Sequence, residues 1–374
     1  MNYEELQKLM REQKVEMTPK ERMTAYNKGE EVDFNPYKLQ GPDPCITNIL
    51  GYKTSDFAKN YDVVEAVTRS RIDDYDLGGC NVSLGLRTVG AAYGSELSFP
   101  DNGFDHVTRY CVNDYSDLDK LEPITDPLNN PAYKVLYDRA AEIKRRIPEI
   151  SVSTGVPGPI STAIAMRPIE KVLRDTVKDP DNLHRLMQYA VDGTLAWVRG
   201  YKERFGKASV GISDPVTCTT ILSKKQFLKF SKPYLKQVIE GIEDIMGSTP
   251  GIHICGKTKA IWDDIVDLGI KGFSIDNVED LAEAKASFGD KMQIIGNVPP
   301  VDVMMNGTID DVIAAVIDNL RKCADNPCGY VINTGCQLSL GTPKQNLDAY
   351  IYAVRKYGRG ARKGHLPKGL EDAC

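Results

Sequence analysis

The sequence predicts an α/β fold, a (β/α)8 TIM barrel with an N-terminal helical extension. Three observations carry that expectation. From about residue 150 onward, short β-branched runs that end in small or polar residues alternate with longer amphipathic stretches. The polar and reactive residues Asp214, His253, Cys255, Asp276, Asn297 and Cys336 fall at the C-terminal ends of those runs, the face on which barrel active sites are built. No G-x-G-x-x-G turn is present, which argues against a doubly wound dinucleotide-binding sheet.

Six strands are expected at 149–155, 208–214, 251–256, 272–276, 292–298 and 329–335, and two more around 45–51 and 78–86 complete the eight. Helices are expected to start at Ser223, at Asp276-Asn277, at Thr308 and at Thr342-Pro343. Each start offers a side-chain acceptor for free backbone amides or a proline already set for the first turn. Residues 1–40 read as a helical lead-in, with Leu6, Leu9 and Met10 at helical spacing for packing against the barrel. The whole of 1–374 reads as a single domain.

Composition narrows the function. The chain carries 47 basic and 52 acidic residues, a formal net charge of −5, with the two signs interleaved. Nucleic-acid binding needs a concentrated basic surface, so no such partner is expected. No run approaches the ~20 apolar residues of a membrane span, and the opening MNYEELQKLMREQKVEM has no apolar signal core. The expectation is a cytoplasmic protein with no membrane partner. Nine cysteines scattered through so long a chain do not form a secreted disulfide framework; a thiol at a strand end is a candidate metal ligand or a core residue.

The run Gly251-Ile252-His253-Ile254-Cys255-Gly256 puts His253 and Cys255 two residues apart, and so on one face of a strand. Cys336 occupies the equivalent position after the last expected strand. One imidazole and two thiolates suit Zn2+, cancel its formal charge and leave a fourth position open for substrate. An H-x-C run is also compatible with a buried cysteine beside a hydrogen-bonded histidine, and spacing alone leaves both readings open. Asp214 and Asp276 are candidates to orient substrate or move a proton, or simply to cap the following helix. Asn297 is a candidate donor into the pocket, or a tie for its own loop. Cys323 and Cys328 read as core or surface thiols, and His106, His184 and His365 as surface histidines.

The segments TPGIHICGKT and GYVINTGCQLSLGTP, with MTPKERMTAYNKGEEVD, TGVPGPISTAIAM and SDPVTCTTILSKKQFLKFSKPYLK, resemble the uroporphyrinogen decarboxylase superfamily in its cobalamin-dependent methyltransferase branch. The resemblance extends over nearly the whole chain. It implies that His253, Cys255 and Cys336 bind zinc and that the partner is a corrinoid-binding protein whose cobalt exchanges a methyl group with a small substrate. The arginine-rich R-P-V-W-x-M-R-Q-A-G-R segment of the decarboxylases is missing; the corresponding NPYKLQGPDPCITN offers Lys38 and no arginine pair.

The expected function is therefore zinc-dependent methyl transfer. Tyr93, Phe99, Phe104, Tyr110 and Tyr115 suggest an aromatic pocket and a lean toward O-demethylation of a methoxylated compound. The alternative direction is a methylcobalamin:thiol methyltransferase of the coenzyme M type. A uroporphyrinogen decarboxylase-like lyase and a non-catalytic barrel that binds a corrinoid protein are the alternatives of other classes.

Overall fold

The computed structural model describes residues 1–373. The chain divides into two compact units, one made of Met1–Gly78 with the chain from Gly272 onward, the other of Gly79–Lys271.

In the Gly79–Lys271 unit, the strands Cys80–Ser83, Val152–Pro157, Val210–Ser213 and Gly251–Ile254 pair in parallel, each with the next. The long helix Pro180–Phe205 lies against Val152–Pro157, and its Trp197 is fully buried. Trp197 stacks on Tyr137 at 4.3 Å between ring centroids and meets Tyr133 edge-on. Its indole Nε1 donates to the Thr154 hydroxyl at 3.0 Å, and that hydroxyl donates to the carbonyl of Val82 at 2.8 Å. The one polar atom of a large apolar side chain is thus satisfied by the sheet it covers. Ser223 starts the next helix through a reciprocal cap with Gln226, as its sequence position predicts. That helix passes through a π-helical turn, Phe227–Ser231, into Lys232–Met246 and ends at Gly247, whose φ of 75° is left-handed.

In the other unit, the strands Gly272–Ile275, Gln293–Val298 and Tyr330–Thr334 pair in parallel. The first and last are buried along their whole length, as strands covered on both faces must be. Thr308 and Asp311 form the expected reciprocal cap of Ile309–Cys323. The lead-in contains helices Tyr3–Glu12 and Pro19–Asn27. Leu6 is fully buried, the Tyr3 hydroxyl donates to Asp348 at 2.7 Å, and the Gln13 amide donates to the Tyr352 carbonyl at 3.0 Å. The first helix therefore packs on the last one, Lys344–Tyr357. The lead-in is not all helix, since Val32–Phe34 pairs antiparallel with Arg359–Ala361.

This is the βα alternation of a TIM barrel, with the strand runs from 149 onward and at 78–86 each holding a strand of the main ladders. The expected strand at 45–51 is instead the helix Asp43–Ile49. The pairing position beside Tyr330–Thr334 goes to an earlier segment: Tyr37 forms one parallel bridge with Ile332, flanked by hydrogen bonds from Ile332 N to Pro36 O and from Lys38 N to Ile332 O. Pro36 has no amide hydrogen to extend the ladder, so the pairing stops at a bridge. One helix start also moves. Asp280 caps Leu281–Phe288 through the amides of Ala282 and Glu283, because Asp276 is already engaged with Val278 N in the preceding turn. The last helix, Lys344–Tyr357, starts as expected directly after Thr342-Pro343, with Pro343 at its cap and the Thr342 hydroxyl donating back to Ser339 O. Among the described residues, no helix is long and apolar enough to cross a membrane.

Truncation of Trp197 tests the central packing of the Gly79–Lys271 unit. Trp197→Ala should cost about 3–5 kcal/mol in urea denaturation; a midpoint equal to wild type would show that helix and sheet do not depend on this contact.

Candidate metal centre

His253 is the third residue of the Gly251–Ile254 strand, flanked by the buried Ile252 and Ile254 that the β-period sends to the opposite face. Its Nε2 lies 3.1 Å from the Sγ of Cys255. The chain then turns at Gly256, φ 71°, where a Cβ would approach the Cys218 sulfur to 3.1 Å. Lys257 O accepts from both the amide and the hydroxyl of Thr219, at 2.7 and 2.8 Å, which pins the turn that carries Cys255. His253, Cys255 and Cys336 each offer one ligand atom, and the three atoms lie within 4.8 Å of one another.

The donor set can be tested against a metal. Zn–S bonds of about 2.3 Å and Zn–N bonds of about 2.0 Å in a tetrahedron set ligand atoms roughly 3.5–3.8 Å apart. A cluster spread over less than 4.8 Å, with no other His, Cys, Asp or Glu in the group, fits a three-ligand site of this size. Among the described residues, eight cysteines form no disulfide. Cys323 is buried, and burial pushes its thiol far up, so it behaves as a core residue.

Asp214 follows the Val210–Ser213 strand and is completely buried; its amide donates to the His253 carbonyl at 2.9 Å. Its carboxylate accepts from the amide and hydroxyl of Ser161, at 3.1 and 2.6 Å, and from the Thr217 hydroxyl at 2.7 Å. Ser161 is in the first turn of the helix Pro159–Met166, whose own cap, Gly158, has no side chain. Asp214 therefore caps that helix from another strand, and a Cβ on Gly158 would come within 2.1 Å of its Cγ. Thr217 also shares a hydrogen bond with Ser231 at 2.7 Å, reaching the π-helical turn. The sequence placed Asp214 but not Ser161, Thr217 or Ser231. The signal was a helix opening Gly-Pro-Ile-Ser with no acceptor of its own.

Asp276 and Asn297 lie together in the other unit. The Asn297 side-chain amide donates to the carbonyls of Asp276 and Glu279, at 3.0 and 2.8 Å, and its backbone amide donates to Asn319 Oδ1 at 2.8 Å. Of the remaining histidines, His184 differs from the surface reading: it stacks on Phe230 at 4.8 Å, and its Nδ1 shares a 2.8 Å hydrogen bond with the Tyr234 hydroxyl. The aromatic set divides. Tyr93 and Tyr115 are buried, the first edge-on to Tyr189 and the second beneath the Arg167 guanidinium, while Phe99 and Phe104 are exposed.

The fold is that of a parallel α/β protein, and His253, Cys255 and Cys336 are a soft donor set that could hold a metal. The chain belongs to the uroporphyrinogen decarboxylase (URO-D) family, whose model matches residues 18–357. Over 350 residues it is 24% identical to the methylcobamide:CoM methyltransferase MtaA of Methanosarcina barkeri, covering 91% of this chain and 99% of that one. It is also 24% identical over 314 residues to a uroporphyrinogen decarboxylase of Pseudoalteromonas atlantica, covering 82% and 86%. A solved methyltransferase from Methanosarcina mazei superposes with a TM-score of 0.78 at 22% identity, covering 91% of this chain and 99% of that one, which shows a shared fold.

Asp214 makes a pH prediction. Burial pushes its carboxyl up to about 6, against the downward pull of the Ser161 and Thr217 hydrogen bonds. Since the unfolded value is about 3.9, its contribution to stability is fully present below about pH 4 and is lost as pH rises through about 6. Denaturation of the metal-free protein across this range should show a flatter pH dependence for Asp214→Asn than for wild type; identical slopes would assign the titration to another group.

Proposed function

We propose that this chain is a zinc-dependent methyltransferase that works with a corrinoid-binding protein and passes a methyl group from methylcobamide to a small thiol. The observation that carries the reading is the cluster of one imidazole and two thiols, His253, Cys255 and Cys336, with ligand atoms within 4.8 Å of one another. The near full-length match to a methylcobamide:CoM methyltransferase supports the thiol as acceptor. The lean toward O-demethylation rested on an aromatic pocket, and that aromatic set is split between core and surface. The decarboxylase alternative lacks the arginine segment, and in its place stand the Tyr37 bridge and the helix Asp43–Ile49.

A zinc ion held by these three ligands would keep a substrate thiol in its nucleophilic thiolate form at neutral pH. The thiol sulfur gains the methyl group, the cobalt–carbon bond breaks with its electron pair left on cobalt, and the thiol proton goes to solvent. The chain's own residues set the geometry for this exchange. The His253 and Cys255 side chains share one strand face, Asp214 anchors the His253 carbonyl, and Asn297 ties the Asp276–Glu279 turn. Asp214 and Asn297 enter the proposal as positioning residues, with Asp276 the candidate to orient substrate. The proposal treats residues 1–374 as one catalytic domain in the cytoplasm.

Two measurements test it. Purified wild-type protein should carry one zinc, and Cys336→Ser should lose most of it while keeping the fold by circular dichroism; full occupancy in that variant would remove Cys336 from the site. With methylcobalamin and a small thiol, the spectrum should change from methyl-Co(III) to Co(I), with proton release on thiol binding. Demethylation of a methoxylated aromatic by reduced corrinoid, without thiol-dependent turnover, would reverse the assigned direction.

A further inference from the structure

Cys336 stands two residues beyond Thr334, the last ladder residue of its strand, so strand pairing does not orient it. Gly335 makes the exit, donating to Val298 O at 2.8 Å in a space where a Cβ would lie 2.5 Å from Asn277 N. Thr334 is fully buried, and its hydroxyl both accepts from the Gln40 amide at 3.1 Å and donates to the Cys336 carbonyl at 2.8 Å. The same lead-in segment follows the loop onward, with Leu338 N donating to Gln40 O at 3.0 Å. The Asn333 amide donates to Gln40 Oε1 at 3.2 Å, and its oxygen accepts from Thr334 N at 2.9 Å.

We infer that Thr334 is a positioning residue for metal binding: its hydroxyl fixes the main chain of Cys336, so that the thiol is held ready rather than searching for the ion. The inference rests on the zinc reading of the site. A hydroxyl suits the role because it is donor and acceptor at once, and one atom joins the Gln40 amide to the Cys336 carbonyl. Valine has nearly the same shape, but it would leave both of those part-buried main-chain groups without this partner and the loop free to turn. Outer partners of metal ligands commonly change affinity by about 10–100-fold when removed.

The test measures zinc affinity by chelator competition for wild type, Thr334→Val and Thr334→Ser, together with the absorption of each protein loaded with Co2+. Thr334→Val should bind zinc about 10–100-fold more weakly, with altered cobalt bands from a displaced thiolate, and Thr334→Ser should return both close to wild type. Wild-type affinity and spectrum in Thr334→Val would overturn the inference. Equal losses in both variants would also overturn it, because the hydroxyl would then not be the determinant. Melting of the three metal-free proteins separates a lost fold from a lost ligand. Absence of zinc binding by wild type is a different result, which removes the zinc reading itself.

Discussion

A single buried carboxylate organises the strand ends around His253. Among the described residues no cation pairs with Asp214; its charge is met by one amide and two hydroxyls, and it lies at the positive end of the helix Pro159–Met166. Burying a carboxylate without such partners costs several kcal/mol or forces it to take up a proton. The partners come from three separate segments: the Pro159–Met166 helix, the Pro215–Thr217 turn and, through Thr217, the π-helical turn at Ser231. Segments far apart in sequence are therefore held by one anion, and the amide of the same residue holds the carbonyl of His253. Gly158 is the steric condition for this arrangement, because the space of its missing side chain is filled by the Asp214 carboxylate.

The other unit reaches the same end with neutral groups. Asn297 uses three hydrogen bonds, two from its side chain and one from its backbone, to join a strand end, the Asp276–Glu279 turn and the helix that carries Asn319. The Tyr330 hydroxyl donates to the Gly296 carbonyl, so the neighbouring strand also bears on this point. Amides and hydroxyls have fixed donors and acceptors and no charge to desolvate, so these contacts hold geometry without a protonation equilibrium. Beside the proposed zinc site that difference would matter. A charged group can shift its protonation when an ion enters, whereas the contacts of Asn297 and Thr334 depend on no titrating group.

Much of this was legible in the sequence because strands and reactive residues follow local rules. His-x-Cys places two donors on one face through the β-period alone, and a β-branched run ending in polar residues marks both the strand and the end that faces chemistry. The Ser223 and Thr308 starts hold because each has its reciprocal partner three residues on, Gln226 and Asp311. Errors arose where competing local signals were equally good. Asp276 and Asp280 offer the same acceptor four residues apart, and only the turn decides between them. The 45–51 run is apolar enough for a strand, but Pro42-Asp43 opens a helix, and the strand position passes to a proline-limited bridge at Tyr37. The Asp214 and Thr334 contacts were not legible, since their partners lie 53 residues away for Ser161 and 294 for Gln40. No periodicity carries information across such separations.

The donor cluster itself is the strongest argument for what these constraints serve. Two thiols and an imidazole within one small sphere gain little from each other: a thiol is a weak hydrogen-bond donor, and two thiolates would repel. A core would fill the same space more favourably with apolar side chains. Both units nevertheless place hydrogen bonds on the main chain beside these side chains, on the His253 carbonyl in one and the Cys336 carbonyl in the other. Such contacts hold the backbone at His253 and Cys336 and so limit how far those side chains can reorient. Lost ligand freedom raises the affinity of a site for an ion, because less ordering remains to be done when the ion binds. The arrangement is accounted for if the cluster exists to receive a soft cation, and hydrogen bonding among the three side chains alone does not account for it.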